Sequence, residues 1–76
     1  MAYQKEIIKV SEISEDFIFV SDSQDVEPIK DQFNNAKEYS GFFVSKKQLE
    51  HGEIDFVFGL YGSIPYMEST ACLVRN

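Results

Sequence analysis

Cysteine, tryptophan and arginine are nearly absent from this chain of 76 residues, which has one cysteine, no tryptophan and one arginine. Because Cys72 has no second cysteine to pair with, no disulfide can form within the chain, and a lone thiol is typical of a reducing compartment. No apolar run approaches the ~20 residues that a membrane-spanning helix needs. The first residues also lack the apolar run of a signal peptide. We therefore expect a cytoplasmic protein without a membrane segment.

Clusters of basic residues are also missing, and the net charge is −6. Nucleic acids and anionic membranes are bound mainly through clustered lysine and arginine, so direct binding to either is disfavoured. A nucleophile such as Cys72 needs a base beside it, and His51 is the only histidine. No catalytic or cofactor-binding motif surrounds these residues. We expect a protein that is not an enzyme and that holds no cofactor.

What the chain does contain is enough apolar surface for a folded core. Hydrophobic residues make up 43% of the sequence, with seven phenylalanines and four tyrosines. A disordered chain has low hydrophobicity, so this composition indicates a globular fold. The length accommodates one hydrophobic core, and no repeat or linker divides the chain. We predict a single domain over residues 1–76.

Alternating and continuous apolar runs predict five strands, over residues 3–10, 16–21, 41–45, 53–61 and 66–74. The second run has four consecutive apolar residues, which predicts burial on both faces and a central place in the sheet. The polar link of residues 11–15 is short enough for a hairpin, which makes the first two strands antiparallel neighbours. Pro65 cannot donate to a strand ladder, and this favours a sheet edge for the start of the last strand.

A change of period predicts one helix between the second and third strands, over about residues 26–39. Its apolar residues recur at intervals of three and four, at Val26, Ile29, Phe33 and Ala36. Asp25 stands at the predicted N-cap, Pro28 is tolerated in a first turn, and Gly41 marks the end. The predicted fold is therefore α+β, in the order ββαβββ. A mostly antiparallel sheet carries one amphipathic helix on one face.

The link between the third and fourth strands has two interpretations. Ser45 and Gln48 fit a capping box with Gly52 as a C-cap, which predicts a helical turn over residues 46–51. Alternatively, His51 and Gly52 form a two-residue hairpin turn that places Phe43 opposite Leu60. In both cases the flanking strands are antiparallel neighbours.

The negative charge is concentrated in residues 11–31, which hold seven acids and one lysine. Such a stretch is commonly a solvated surface, and acids also favour the start of a helix. The sharper interpretation is that the carboxylates meet a basic groove on a protein partner, with tyrosines as anchors. On this interpretation the candidate partner-binding residues are Glu15, Asp16, Asp22, Asp25, Glu27, Asp31, Tyr39 and Tyr66.

These features favour a non-enzymatic, acidic protein-binding module. Basic grooves commonly hold nucleic acid. By analogy of class alone, a compact acidic protein of this kind resembles an inhibitor of a nucleic-acid enzyme, such as a phage-borne anti-defence protein. One alternative is a self-associating structural or regulatory subunit, a homodimer that pairs through open sheet edges. Another is a small metal-binding protein that uses His51, Glu53 and Asp55 as ligands.

Overall fold

The computed structural model describes residues 6–62 and 64–75 of the chain. Its elements follow in the order β1 (Ile7–Lys9), a 3₁₀ helix (Val10–Glu12), β2 (Phe17–Val20), α1 (Ser23–Gln32), β3 (Gly41–Ser45), α2 (Lys46–His51), β4 (Phe56–Leu60) and β5 (Thr70–Arg75). The predicted order of the strands and the main helix is confirmed, with α2 as an added short helix. Residues 3–5 of the predicted first strand lie outside the described residues.

Within the described residues, five strands form one open antiparallel sheet in the order β1-β5-β4-β3-β2. Strands β2 to β5 form a meander in which each strand pairs with the next. Phe43 lies opposite Phe58 between β3 and β4, and Val57 lies opposite Val74 between β4 and β5. The α+β class is therefore confirmed, and so is the antiparallel pairing of the strands on either side of residues 46–51.

The core lies between α1 and one face of the sheet. Val26 and Ile29 are buried on α1, and Phe33, directly after the helix, is fully buried. Successive strand residues point to opposite faces, so only alternate residues of each strand reach this layer. The sheet contributes Val20, Phe42, Val44, Val57, Cys72 and Val74. The amphipathic helix packed on one face is thus present as predicted.

The other face of the sheet carries a second layer of aromatic rings, from Phe17, Phe19, Phe43, Phe56 and Phe58. The ring centroids of Phe17 and Phe58 are 5.7 Å apart, and those of Phe19 and Phe43 are 4.9 Å apart. These separations are typical of favourable aromatic pairs. Phe43 is buried and the other four rings are half-buried. This layer makes the strands apolar on both faces.

The predicted hairpin between the first two strands is wrong, because β1 and β2 lie at opposite edges of the sheet. Every neighbouring pair is antiparallel, so β1 and β2 run in the same direction. Residues 10–16 therefore cross the whole width of the sheet. Val10 begins this crossing, with its N–H donating to the carbonyl of Ser69 at 2.8 Å. A short polar link has the same composition whether it turns back or crosses.

The predicted central position of β2 is also wrong, since β2 is an edge strand. Its four residues are all half-buried. Ile18 and Val20 lie on the helix side, and Phe17 and Phe19 on the aromatic side, as the pairing with β3 requires. An edge strand covered on both faces has the same apolar run as a central strand, which is why the sequence pattern did not separate the two.

The main helix exists as predicted, but its bounds differ. It begins at Ser23 after Asp22, whose extended backbone occupies the N-cap position, so the N-cap assignment of Asp25 is wrong. It ends at Gln32 rather than near Tyr39. After Phe33 the chain makes two successive turns, in which Ala36 N–H donates to Phe33 and Tyr39 N–H donates to Ala36. These four-residue turns bury apolar residues at a spacing of three, as a helix does, so the apolar pattern predicts a longer helix than the structure contains.

The segment after β3 is a helical turn, α2, and not a hairpin. Gly52 ends it with a left-handed backbone, φ 74°, and its N–H bonds to the carbonyls of Gln48 and Leu49. The side chain of Gln48 then accepts hydrogen bonds from the N–H groups of Asp55 and Phe56. At the last strand, β5 begins at Thr70 and lies between β1 and β4, so the edge position inferred from Pro65 is wrong.

Candidate protein-binding surface

The carboxylates of residues 11–31 all lie at the surface. The exposed side chains are those of Glu12, Glu15, Asp16, Asp22, Asp25, Glu27 and Asp31. None of the side-chain hydrogen bonds found within the described residues involves one of these carboxylates. Because no side-chain hydrogen bond within the described residues uses these carboxylates, their charge is available to solvent or to another molecule.

The fold divides these carboxylates into separate groups. Glu15 and Asp16 immediately precede β2, and Asp22 follows it. Because an extended strand rises about 3.3 Å per residue, the four residues of β2 place these two groups at opposite ends of a strand about 13 Å long. The 11–31 stretch is continuous in sequence, but its acids are divided between the two ends of β2.

The group after β2 lies on α1 and is the more strongly charged. Asp22 stands at the N-cap, and Asp25, Glu27 and Asp31 are exposed along the helix, with Lys30 half-buried beside them. Val26 and Ile29 point to the core, so Glu27 and Asp31, one turn apart, share the outward side. We call the four residues Asp22, Asp25, Glu27 and Asp31 the acidic helix surface.

The group before β2 has basic residues nearby. The N–H of Lys46 donates to the carbonyl of Asp16 at 2.9 Å, which brings the start of α2 beside the start of β2. Lys46 and Lys47 are both exposed there. Two lysines therefore accompany Glu15 and Asp16, whereas the acidic helix surface has one lysine for four acids. The uncompensated negative charge is on α1.

Tyr39 is a core residue, so its interpretation as an accessible anchor is wrong. It is 4% exposed, and a Cβ added at Gly59 would come within 2.6 Å of its ring. Burial raises the pKa of Tyr39 above its ordinary value of 10.0, and the neighbouring Cys72 and Tyr61 raise it further. The absence of a side chain at Gly59 is what lets the ring pack against the backbone of β4.

Tyr66, the other tyrosine proposed as an anchor, is 66% exposed and lies in the loop between β4 and β5. The neighbouring Ile64 and Met67 are 60% and 68% exposed. Sequence reasoning missed this exposed group because it placed residues 66–74 in a strand. The signal was the Ile-Pro-Tyr-Met run, where a proline interrupts an otherwise apolar segment.

His51, Glu53 and Asp55 do not form a metal site. His51 is the last residue of α2, and the left-handed turn at Gly52 separates it from the two acids. Among residues 6–62 and 64–75, no group of three or more histidine, cysteine, aspartate or glutamate side chains is arranged to hold a metal ion. In the same part of the chain, no helix is long and apolar enough to cross a membrane.

Comparison with known proteins shows a shared fold. The crystal structure of a hypothetical protein from Thermus thermophilus phage TMA is similar, with a TM-score of 0.71 and 23% sequence identity. The similarity covers 91% of this chain and 96% of the phage protein. No family model and no curated protein matches the chain.

Proposed function

We propose that this protein is a non-enzymatic binding module that occupies a basic surface on a protein partner through its acidic helix surface. The observation that supports this is the set of four exposed carboxylates on and before α1, accompanied by one lysine. This surface has uncompensated charge, and no side-chain hydrogen bond within the described residues uses its carboxylates.

The arrangement of Glu27 and Asp31 is unfavourable for the isolated helix. Like charges four residues apart destabilise a helix by about 0.2–0.5 kcal/mol. Asp31 is also in the last helical turn, where the helix dipole favours a positive charge. A basic partner offsets both unfavourable terms by attracting the two carboxylates, and its field accelerates encounter before contact is made.

The specific form of the proposal is an inhibitor or regulator that competes with nucleic acid. Enzymes that act on nucleic acids hold phosphates in basic grooves, and α1 is about 15 Å long at 1.5 Å per residue. Carboxylates spread along that length meet such a groove as a short run of phosphates does. A fold shared with a phage protein supports no particular target, so the partner class is inferred from charge alone.

The test is capture from native lysate by the tagged protein at low and high salt, followed by mass spectrometry. The test variant is Glu27→Gln with Asp31→Asn, which removes two charges from the acidic helix surface. The matched control is Glu50→Gln with Glu53→Gln, which removes the same charge from exposed positions near the end of α2. We expect salt-sensitive capture of a basic-surfaced protein, lost in the first variant and kept in the control.

Equal capture by both variants contradicts the assignment of the acidic helix surface. If the captured protein is a nucleic-acid enzyme, adding DNA or RNA should release it. Failure of nucleic acid to compete contradicts the inhibitor form.

A further inference from the structure

Within the described residues, no strand pairs with the outer edge of β2, so some of its backbone groups have no strand partner. Hydrogen-bonded and non-hydrogen-bonded pairs alternate along an antiparallel ladder. Lys46 N–H donates to Asp16 carbonyl across β2 and β3, and Ile18 lies two residues further along, opposite Val44. Ile18 and Val20 therefore direct their N–H and carbonyl groups at β3. Phe17 and Phe19 direct theirs away from the sheet.

One of these outward groups is used locally, since the N–H of Phe17 donates to the carbonyl of Ser14 at 3.1 Å. The carbonyl of Phe17 and both the N–H and the carbonyl of Phe19 remain. Within the described residues, no turn, loop or cap hydrogen bond between backbone groups involves them. These two carbonyls and one N–H could form backbone hydrogen bonds with a strand added at this edge.

The two edges of the sheet differ in how they are protected. Proteins commonly blunt exposed edges with charges, prolines or bulges. At the other edge β1 is three residues long and ends at Lys9. β2 consists of Phe, Ile, Phe and Val, with no charged residue and no proline. Of the two, β2 is the edge open to another strand.

The charges at the ends of β2 indicate what kind of strand could pair with its outer edge. Glu15 and Asp16 precede the strand, and Asp22 follows it. Self-pairing in antiparallel register about Phe19 would place Asp16 of each copy opposite Asp22 of the other, and like charges directly opposite are destabilising. Lys46, which begins α2 and lies beside Asp16 on the β3 side, offsets part of this repulsion, but Glu15 and Asp22 keep exposed acidic side chains at both ends of β2. The ends of β2 therefore disfavour a second copy and favour a basic strand.

From this the geometry points to strand addition at β2: an extended segment of the partner, apolar at its centre and carrying lysine or arginine at both ends, pairs with its outer edge. This inference rests on the proposed function, since it names how a basic partner docks. The acidic residues on both sides of β2 would contact the two ends of the same segment.

The experiment uses a synthetic peptide as the probe, with alternating valine and threonine at the centre and two lysines at each end. Backbone amide hydrogen exchange of the full chain is measured by NMR with and without the peptide. We expect the Phe19 amide, which points away from the sheet, to become protected. Two control peptides, one with glutamates at its ends and one with N-methylated central residues, should give no protection.

Charge reversal tests the role of the strand ends. In Asp16→Lys with Asp22→Lys we expect binding of the lysine-ended peptide to weaken about tenfold, because two exposed attractions become repulsions. Glu50→Lys with Glu53→Lys makes the same change in net charge away from the edge and should leave binding within about twofold.

Each contrary outcome is distinct. An unprotected Phe19 amide at saturating peptide overturns strand addition. If the acidic helix surface is nevertheless needed for capture from lysate, the proposed function stands without it. Protection of Phe19 that grows with protein concentration in the absence of peptide shows self-pairing, and overturns the basic strand as occupant. Protection of Phe19 by peptide, with capture unaffected by changes on α1, supports the edge site and contradicts the proposed function.

Discussion

Replacement of Asp31 by lysine should stabilise the folded protein. In the wild type, Asp31 lies one helical turn after Glu27 and next to the last residue of α1. The change replaces a repulsion of about 0.2–0.5 kcal/mol with an attraction of similar size, in the favourable order with the acid first. It also replaces an unfavourable dipole interaction with a favourable one, each about 0.3 kcal/mol or more at an exposed site. The expected gain in the free energy of unfolding is about 1 kcal/mol.

The assay is thermal and urea unfolding followed by circular dichroism. For a domain of this size, about 1 kcal/mol corresponds to a rise in Tm of about 4–8 °C. The measurement is repeated near 1 M salt, where the Debye length falls to about 3 Å and the gain should largely disappear. Gln32→Lys is the matched control. It places a lysine in the same turn but lacks Glu27 four residues before it and removes no acid, so only one dipole term of about 0.3 kcal/mol, about a third of the gain, is expected.

Two results would refute this reasoning. A loss of stability in Asp31→Lys would mean that the carboxylate makes a favourable contact that its exposed position does not suggest. A gain that survives high salt would mean that the effect is not electrostatic. The proposed function is supported if the Asp31→Lys variant is more stable than the wild type but captures less of the partner. Such a result would mean that Asp31 lowers the stability of the free protein and contributes to binding.

Two further predictions concern the core. Gly59→Ala should cost about 1–3 kcal/mol in urea unfolding, because its Cβ would overlap the part of the Tyr39 ring nearest the backbone. Gly41→Ala should cost less, because the atoms its Cβ would overlap belong to the far end of the half-buried Phe19 ring, and the nearest backbone atom, the Val20 carbonyl oxygen, is 3.3 Å away; equal costs would contradict this. The raised pKa of Tyr39 means that its contribution to stability is complete below pH 10 and is lost as the pH rises above 10, through the folded-state pKa. Alkaline unfolding followed by far-UV circular dichroism should therefore start at higher pH in Tyr39→Phe, and an unchanged onset would contradict the assignment.

The local elements were largely predictable because their signals are local. The apolar spacing from Val26 to Phe33 marks the helix, and Gly41 to Ser45 marks β3 with the observed bounds. The overlong helix shows the limit of such a signal. The four-residue turns that end at Ala36 and Tyr39 bury the same side chains as further helical turns would, so burial periodicity does not distinguish the two backbones.

The candidate site was predictable in part. Exposure of the acids follows from their chemistry, since an ionised carboxylate is rarely buried without a partner. Their grouping was not predictable, because it depends on which end of β2 each one occupies and on the approach of Lys46 to Asp16. Tyr39 and Tyr66 have the same side chain and opposite exposures. Only the fold decides that the Tyr39 ring packs against a glycine, Gly59, while Tyr66 is exposed in a loop.

By itself the sequence determined the class of the protein: an α+β fold with one amphipathic helix, an aromatic-rich interior, and an excess of negative charge confined to residues 11–31. These properties follow from the composition and from periodicities of two and three to four residues. The tertiary structure alone decided that β1 and β2 lie at opposite edges of the sheet, and therefore which strands have a side that no other described strand pairs with. Strand order depends on contacts between residues far apart in the chain, and no local pattern in the sequence records them.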